Sequence, residues 1–295
     1  MSEVKKIFVV GAGLMGAGIA QVAITAGYEV TMYDISMEIV ERSKGNLDKM
    51  LGKLVSKGKM TEEDKAAAMA RLSVSDQLAA AADADMVIEA APEKVDLKKN
   101  IFKQLSEVCR EDTILASNTS SISIAEISSV VKNPARFVGM HFFSPVPLMK
   151  LLEVVKGIGT SAETVETVKA VGKRLGKTSI TVKDSPAFVI NRMLVPMMNE
   201  AACLLAAGVA NVEDIDTGAK LGLNHPMGPF ELMDMTGIDV ALAALETVFR
   251  ETGDPKYRPS QVLLDMRRMG WLGRKTGIGF YVYNADGTRT PNPNL

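Results

Sequence analysis

Two ionisable residues in apolar surroundings are the first candidates for chemistry. His141 ends the segment Phe137–His141, and Glu153 lies inside the apolar run Leu151–Val155. A carboxylate in such a run is costly to bury unless it has a partner. If the two segments are strands that pair across the connection Ser144–Pro147, then His141 and Glu153 meet. A carboxylate on one imidazole nitrogen leaves the other nitrogen for proton transfer. The pattern predicts a general acid–base pair, although a structural histidine in a hairpin fits it as well.

Two further polar side chains could hold a substrate. Ser120 lies in Asn118–Ser121, directly after a predicted strand, where open α/β sheets bind their ligands. Its hydroxyl could equally cap the helix near Ile122. Asn191 interrupts the apolar segment Phe188–Leu194, and a buried amide needs partners. It could donate to a substrate carbonyl at a domain cleft, but taken alone it favours a tie between the helix and the linker.

A glycine-rich turn predicts the cofactor. The apolar run Lys5–Val10 leads into the motif GAGLMG at Gly11–Gly16, and the helical stretch Ala17–Gly27 follows. In this strand–turn–helix context the first glycine makes the tight turn, the second admits a pyrophosphate and the third lets helix pack on strand. The N-terminus of the helix offers N–H groups and a positive dipole end to the phosphates. The alternative is a glycine loop that binds nothing.

An acidic residue after the second predicted strand indicates which of the two cofactors, NAD(H) or NADP(H), the protein binds. Asp34 ends the strand Glu29–Asp34, about 20 residues beyond the glycines, where a carboxylate accepts hydrogen bonds from the adenosine ribose. It would also repel a 2′-phosphate, and Ile35–Met37 offers no arginine to receive one. The sequence therefore favours NAD(H) over NADP(H). The alternative role of Asp34 is capping of the helix near Ser36.

The composition narrows the class of protein. The chain has 295 residues, 47% of them hydrophobic and 5% aromatic, so its core is mostly aliphatic. The net charge of −1 gives no indication of nucleic-acid binding. The sequence has neither a signal-peptide pattern nor an apolar run of membrane-spanning length. Cys109 and Cys203 are not spaced as metal ligands, so we expect no metal and a reducing cytoplasm.

Strand and helix patterns alternate in the first part of the chain and predict a doubly wound, Rossmann-like parallel sheet. The predicted strands are Lys6–Val10, Glu29–Asp34, Leu72–Ser75, Met86–Ala90, Thr113–Ser117, Phe137–Phe142 and Leu151–Val155. The last two are predicted as an antiparallel pair at the far side of the sheet. After Lys183 the pattern becomes helical throughout, so we expect an NAD-binding domain over residues 1–183 and an all-helical substrate and dimerisation domain over residues 184–295.

Three further features are open to more than one interpretation. The predicted helix Phe188–Ala207 is apolar nearly all round, which makes a subunit contact plausible. Glu93 and Lys98 follow a predicted strand and fit either the cofactor or a surface helix. A row of lysines recurs at every fourth residue on one helix face, which suits a phosphorylated ligand or a solvated surface: Lys49, Lys53 and Lys57.

Several ordered motifs resemble those of the short-chain L-3-hydroxyacyl-CoA dehydrogenases, of the bacterial 3-hydroxybutyryl-CoA dehydrogenase type. The resemblance runs from Lys6 to about Tyr281, nearly the whole chain. Its motifs are GAGLMG at Gly11–Gly16, SNTSS at Ser117–Ser121, HFFSPVPLMKLLEV at His141–Val154, KDSPAFVINRMLVP at Lys183–Pro196, HPMGPFEL at His225–Leu232 and GRKTGIGFY at Gly273–Tyr281.

The resemblance implies a role for each candidate residue. His141 would be the acid–base group, Glu153 its orienting partner, and Ser120 and Asn191 would contact the substrate. Lys53 and Lys57 would face coenzyme A. The resemblance implies these NAD contacts: Gly11, Gly13, Leu14, Met15, Gly16, Asp34, Glu93, Lys98, Ser120, Ser144 and Lys275. The chain departs from the family at Ser144, where relatives often carry asparagine.

The resemblance also implies a reaction, a reversible hydride transfer between C3 of a 3-hydroxyacyl thioester and C4 of nicotinamide, in a cytoplasmic homodimer. A 3-hydroxy acid or sugar-acid dehydrogenase acting on substrates without CoA is the second hypothesis. A nucleotide-binding regulatory protein without activity is the third, and the set of His141, Glu153, Ser120 and Asn191 argues against it. Acyl-chain length, physiological direction and pathway stay open.

Overall fold

The computed structural model describes residues 3–295, which form two compact units. The first unit ends at Ser185 and the second begins at Pro186. The sequence predicts this boundary slightly earlier, between Lys183 and Asp184. Each unit encloses an apolar core of its own.

The first unit is built on an eight-stranded sheet in the order β3-β2-β1-β4-β5-β6-β7-β8. The first six strands run parallel, whereas β7 pairs antiparallel with β6 and parallel with β8. The strands are β1 Lys6–Val10, β2 Glu29–Tyr33, β3 Leu72–Ser75, β4 Met86–Glu89, β5 Ile114–Ser117, β6 Phe137–Phe142, β7 Leu151–Lys156 and β8 Thr178–Lys183. The predicted doubly wound sheet is confirmed, and its strand order reverses between β1 and β4.

Six helices of the first unit accompany this sheet. They are α1 Leu14–Thr25, α2 Met37–Ser56, α3 Glu62–Ala70, α4 Val95–Val108, α5 Ile124–Ser128 and α6 Ala162–Arg174. Apolar residues of the strands and of α1, α2 and α6 form one buried core. The central strands β4, β5 and β6 are buried at every residue, as continuous apolar runs require.

Two elements of the first unit are absent from the sequence prediction. Strand β8 lies outside β7, so the antiparallel pair is present but does not form the edge of the sheet. Four of the six residues of β8 are polar and three are exposed, which is typical of an edge strand, so an apolar pattern does not reveal it. Helix α3 is rich in alanine and charge and buries one residue, Ala68. Its N-cap is Thr61, a residue type that is common at this position. In the structure the Thr61 hydroxyl accepts from the Asp64 N–H at 3.0 Å.

The second unit is helical, as predicted, with one small addition. Its helices are α7 Ile190–Ala206, α8 Val212–Gly222, α9 Pro229–Thr236, α10 Ile238–Thr252 and α11 Gln261–Arg268. A two-stranded antiparallel sheet follows, made of β9 Tyr281–Tyr283 and β10 Arg289–Pro291. The prediction of an all-helical domain misses this hairpin. Within residues 3–295, no helix combines the length and apolarity needed to cross a membrane.

The parallel strands of the first unit deliver the candidate residues to one edge of the sheet. Parallel strands end at the same edge, and that is where open α/β sheets bind their ligands. The glycine turn follows β1, Asp34 follows β2, and Glu93 follows β4. Ser120 follows β5, and His141 is the penultimate residue of β6. Because β7 runs the other way, Glu153 near its start lies at this edge too.

Candidate active site

His141 and Glu153 form a buried pair across the β6–β7 ladder. They are direct partners in the antiparallel register, so their side chains lie on the same face of the sheet. His141 Nδ1 and Glu153 Oε2 are 2.6 Å apart, and the two residues are 5% and 0% exposed. The predicted strand pairing and the contact it brings about are both confirmed. Their catalytic roles stay predictions.

The contact fixes which nitrogen of His141 can move a proton. An ionised Glu153 accepts a hydrogen bond, so Nδ1 carries the ring proton and Nε2 is the acceptor of the neutral imidazole. The imidazole also packs against Phe143, with ring centroids 4.4 Å apart. The contact with the buried carboxylate holds the plane of the imidazole ring. The arrangement suits general acid–base chemistry at Nε2.

The glycine turn has the geometry of a phosphate site. Gly11 has φ +99°, and a β-carbon there would lie 2.7 Å from the Ala90 carbonyl oxygen. A β-carbon at Gly16 would lie 1.8 Å from the Gly11 oxygen, so the helix can pack this closely only on glycine. A β-carbon on Gly13 would meet none of the described atoms within 4 Å. Gly13 is the N-cap of α1 and has no side chain to cover the N–H groups there. The turn therefore fits a dinucleotide pyrophosphate, and Leu14 and Met15 open the helix behind it.

Asp34 lies where the sequence predicts it, beside this turn. Its Oδ2 accepts from the Ala12 N–H at 2.8 Å, and its Oδ1 accepts from the Ile35 N–H at 2.8 Å. The N-cap of α2 is Ser36, so Asp34 does not cap that helix. The half-buried carboxylate ties β2 to the glycine turn at the position that suits a ribose.

Glu93 binds the turn that carries Ser120. Its Oε1 accepts from the Ser120 N–H at 2.8 Å, the Ser121 N–H at 3.1 Å and the Thr119 hydroxyl at 2.6 Å. The Ser120 hydroxyl lies 3.2 Å from the same oxygen. Burial raises the pKa of Glu93, but the Lys98 ammonium and the hydrogen bonds from Thr119 and Ser120 outweigh burial and hold it below its ordinary value.

The N-cap of α5 is Ser123, so the capping role considered for Ser120 is wrong.

Lys98 is buried, and it contacts a residue that sequence reasoning missed. Its ammonium lies 2.6 Å from Glu89 Oε1 and 3.3 Å from Glu93 Oε2. Lys98 and Glu89 are 1% and 0% exposed, so the interpretation of Lys98 as a surface residue is wrong. Glu89 also accepts from the Ser117 hydroxyl at 2.6 Å. Like Glu153, Glu89 is a carboxylate in an apolar strand, and the same pattern would have found it in β4.

The connection between β6 and β7 carries Ser144 and is tied down by two residues. Asn118 Oδ1 accepts from the Phe142 N–H at 2.8 Å, which joins the serine turn to the end of β6. The buried Lys177 ammonium donates to the carbonyls of Val146 and Met149. Ser144 itself is exposed. Its position in the chain therefore suits a contact with a ligand at this edge.

The remaining predicted residues are Lys53, Lys57, Asn191 and Lys275. Lys53 and Lys57 are exposed at the C-terminal end of α2. Asn191 and Lys275 belong to the second unit, Asn191 near the start of α7 and Lys275 in a 2.5 Å ion pair with Asp239. Among residues 3–295, no group of three or more His, Cys, Asp or Glu side chains is arranged to hold a metal ion.

Comparison with known protein families gives two matching domains along the chain. Residues 6–185 match the NAD-binding domain of 3-hydroxyacyl-CoA dehydrogenase, and residues 188–283 match the C-terminal domain of the same family. A probable 3-hydroxybutyryl-CoA dehydrogenase of Bacillus subtilis is 48% identical over 281 residues, covering 95% of this chain and 98% of the relative. A 3-hydroxybutyryl-CoA dehydrogenase of Clostridioides difficile is 47% identical, covering 95% and 99%.

The fold is also that of a solved relative. The crystal structure of an (S)-3-hydroxybutyryl-CoA dehydrogenase from Ralstonia eutropha superposes with a TM-score of 0.94 at 48% identity. The match covers 96% of this chain and 100% of that one. The likeness therefore extends over both units.

Proposed function

We propose, since the chain belongs to the 3-hydroxyacyl-CoA dehydrogenase family, that it interconverts 3-hydroxybutyryl-CoA and acetoacetyl-CoA with NAD(H). The chain is an NAD-dependent oxidoreductase of this family. The observation that carries the proposal beyond family membership is the buried 2.6 Å contact between His141 and Glu153. It supplies a proton carrier at the edge of the sheet where the glycine turn also lies.

His141 moves the proton of the reaction. NAD, when bound, accepts or supplies the hydride at its nicotinamide ring. In the direction of oxidation, His141 Nε2 takes the proton of the substrate hydroxyl, and in the direction of reduction the protonated ring returns it. Glu153 stabilises the imidazolium that forms and keeps Nε2 directed at the reacting oxygen. Burial of both side chains strengthens this electrostatic support.

The first unit supplies the cofactor contacts of the proposal. The glycine turn holds the pyrophosphate, Asp34 the ribose, and Ser120 and Ser144 the nicotinamide end. Glu93 fixes the serine turn, and the buried Lys98 acts through Glu93 rather than on the cofactor directly. The proposed contacts of Asn191 with the substrate and of Lys275 with NAD rest on the family resemblance alone. Lys53 and Lys57 offer exposed positive charge to the phosphates of CoA.

A single assay separates the proposed substrate from its rivals. Purified protein is mixed with NADH and either acetoacetyl-CoA or free acetoacetate, and NADH oxidation is followed by absorbance. We expect turnover with the thioester and a kcat/KM at least about a hundredfold lower with the free acid, because the CoA part supplies binding energy used at the reacting centre. Equal rates would favour a free-acid dehydrogenase. No oxidation of NADH with either compound would favour a binding protein without activity.

Two properties of the whole protein complete the proposal, a homodimer and a cytoplasmic location. The second unit exposes large apolar side chains, among them Met193 at 66% on α7 and Leu221 at 83% on α8. Both cysteines are free thiols, which suits a reducing compartment. Light scattering after gel filtration tests the dimer, and a monomer mass would refute it. Fractionation of producing cells tests the location.

A further inference from the structure

Three charged side chains, Glu89, Lys98 and Glu93, form a cluster at the end of β4. The proposed mechanism gives no role to Glu89. Lys98 Nζ is 2.6 Å from Glu89 Oε1 and 3.3 Å from Glu93 Oε2. The two carboxylates and one ammonium sum to a formal charge of −1. Glu89 and Lys98 are 0% and 1% exposed, so water screens the pair little.

Glu89 is surrounded by hydrogen-bond donors. Three donors point at it: Lys98 Nζ at 2.6 Å, the Ala91 N–H at 2.6 Å and the Ser117 hydroxyl at 2.6 Å. One of these donors is the Lys98 ammonium, so Glu89 and Lys98 form a buried ion pair. Because one ammonium is shared between two carboxylates, the cluster keeps an uncompensated negative charge.

The cluster is joined directly to the proposed cofactor site. Glu93 Oε1 accepts from the N–H groups of Ser120 and Ser121, at 2.8 and 3.1 Å. Under the proposed function, Ser120 and Glu93 lie beside the nicotinamide. The nicotinamide ring carries a positive charge when oxidised and none when reduced. A fixed negative charge beside it therefore stabilises one redox form and leaves the other nearly unaffected.

We propose that Glu89 determines the redox preference of the cofactor site, by supplying the charge that makes the Glu89–Lys98–Glu93 cluster net negative and so favours binding of oxidised NAD over its reduced form. The inference rests on the proposed function, because it needs the nicotinamide at this edge of the sheet. It gives Glu89 a role that is distinct from holding Lys98 in place. A purely structural role would weaken the binding of both redox forms alike.

The test compares two dissociation constants in the full-length protein. NADH binding is followed by its fluorescence, and NAD⁺ binding by displacement of NADH. Glu89→Gln keeps the size of the side chain and removes its charge. We expect the ratio Kd(NAD⁺)/Kd(NADH) to rise at least about fivefold in this variant, as one partly screened charge at close range predicts. Ser117→Ala is the matched control, since it removes a hydrogen bond to the same carboxylate and leaves the charge; its ratio stays at the wild-type value.

A second variant, Glu93→Gln, keeps the inference testable if Glu89→Gln does not fold. Glu93 is 36% exposed, so Glu93→Gln creates no fully buried defect. The Glu93→Gln variant weakens hydrogen bonds that affect the binding of both redox forms. It also removes a negative charge that favours only NAD⁺, so Kd(NAD⁺)/Kd(NADH) rises in this variant too. If the wild type binds both forms and the ratio does not move in a folded Glu89→Gln variant, or in Glu93→Gln where Glu89→Gln does not fold, the inference is wrong and the proposed function stands. If the wild type binds neither form, both are wrong.

Discussion

His141 and Glu153 lie directly across the strand ladder from each other, so one register position decides whether the two side chains meet. A shift of the β6–β7 pairing by one residue would send the two side chains to opposite faces of the sheet. Gly139 and the buried residues around it leave little freedom for such a shift, because a β-carbon at Gly139 would lie 2.7 Å from Val155. Local packing thus fixes the contact between His141 and Glu153.

Replacement of His141 tests its role directly. Glutamine is of similar size and can hydrogen-bond to Glu153, but it does not exchange a proton near neutral pH. We expect His141→Gln to lower kcat with acetoacetyl-CoA by at least about a hundredfold, the lower range for a general acid–base group. NADH binding, followed by fluorescence, stays near the wild-type value. Phe143→Leu, which alters the ring packed on the imidazole, serves as the control. A His141→Gln variant with near-normal kcat would remove His141 from the mechanism.

Asp34 combines two effects, a charge and a hydrogen bond to the Ala12 N–H. Asp34→Ala removes both, whereas Asp34→Asn removes the charge and keeps an acceptor oxygen. We expect kcat/KM for NADPH relative to NADH to rise in both variants, by about tenfold or more, because the repulsion of a 2′-phosphate is lost. Steady-state kinetics with both cofactors measures the ratio. A wild type that already prefers NADPH would contradict the role proposed for Asp34.

At the scale of elements, the connection between β6 and β7 is held by a buried cation. Lys177, just before β8, donates to the carbonyls of Val146 and Met149. Burial, and secondarily the charge of Lys150, lowers the pKa of Lys177. The same connection packs on α1, the helix after the glycine turn, since a β-carbon at Gly18 would lie 2.9 Å from Val146. Lys177 therefore positions the segment that carries Ser144.

Removal of this ammonium should loosen the connection. Lys177→Met keeps the aliphatic length but leaves two carbonyls without their donor, a cost of about 1–3 kcal/mol. We expect KM for NADH to rise several-fold, on the order of 1 kcal/mol of lost binding, with a smaller change in kcat. Lys150→Met is the matched control, because Lys150 is exposed on the same connection. Equal KM values in the two variants would show that Lys177 does not position the site.

The elements also show how much of the structure the sequence predicts. Continuous apolar runs identify β1, β4, β5 and β6, and the lone carboxylate Glu153 identifies the pairing of β6 with β7. Strand β8 is missed because an edge strand lacks such a run. The contacts of Lys98 and Glu93 could not be predicted, since they depend on how the turns after β4 and β5 fold toward each other. Lys98 accordingly resembles a surface helix residue in sequence and is buried in the structure.

At the scale of the whole molecule, buried and half-buried carboxylates have pKa values that shift in both directions. In the first unit, burial raises the pKa of Asp85, but hydrogen bonds from Lys6, Lys5 and Arg110 outweigh it and lower that pKa overall. In the second unit, burial raises the pKa of both Asp216 and Asp234. The first group contributes stability that is lost on acidification, whereas the second contributes stability that is lost as the pH rises.

Asp234 offers the clearest test of this difference. Its oxygens accept from the Phe280 N–H and the Tyr281 N–H, both at 2.9 Å, so it joins α9 to the hairpin. Asp234→Asn loses one acceptor and lowers stability near neutral pH by about 1–2 kcal/mol. The folded-state pKa of Asp234 lies above its unfolded value, so the wild type gains stability as the pH falls toward about 4 and the variant does not. The difference between the two proteins therefore grows on acidification.

Urea unfolding of the full-length protein measures this difference. The single tryptophan of the chain, Trp271, lies in the second unit and packs against its core, so its fluorescence reports that unit. Curves are compared at about pH 7.5 and at about pH 4, the unfolded-state pKa toward which the wild type gains stability. Asp286→Asn in the hairpin turn is the control, because hydrogen bonds from Thr288 lower the pKa of Asp286 and its effect shrinks on acidification. A difference between wild type and Asp234→Asn that also shrinks would mean that burial does not dominate the titration of Asp234.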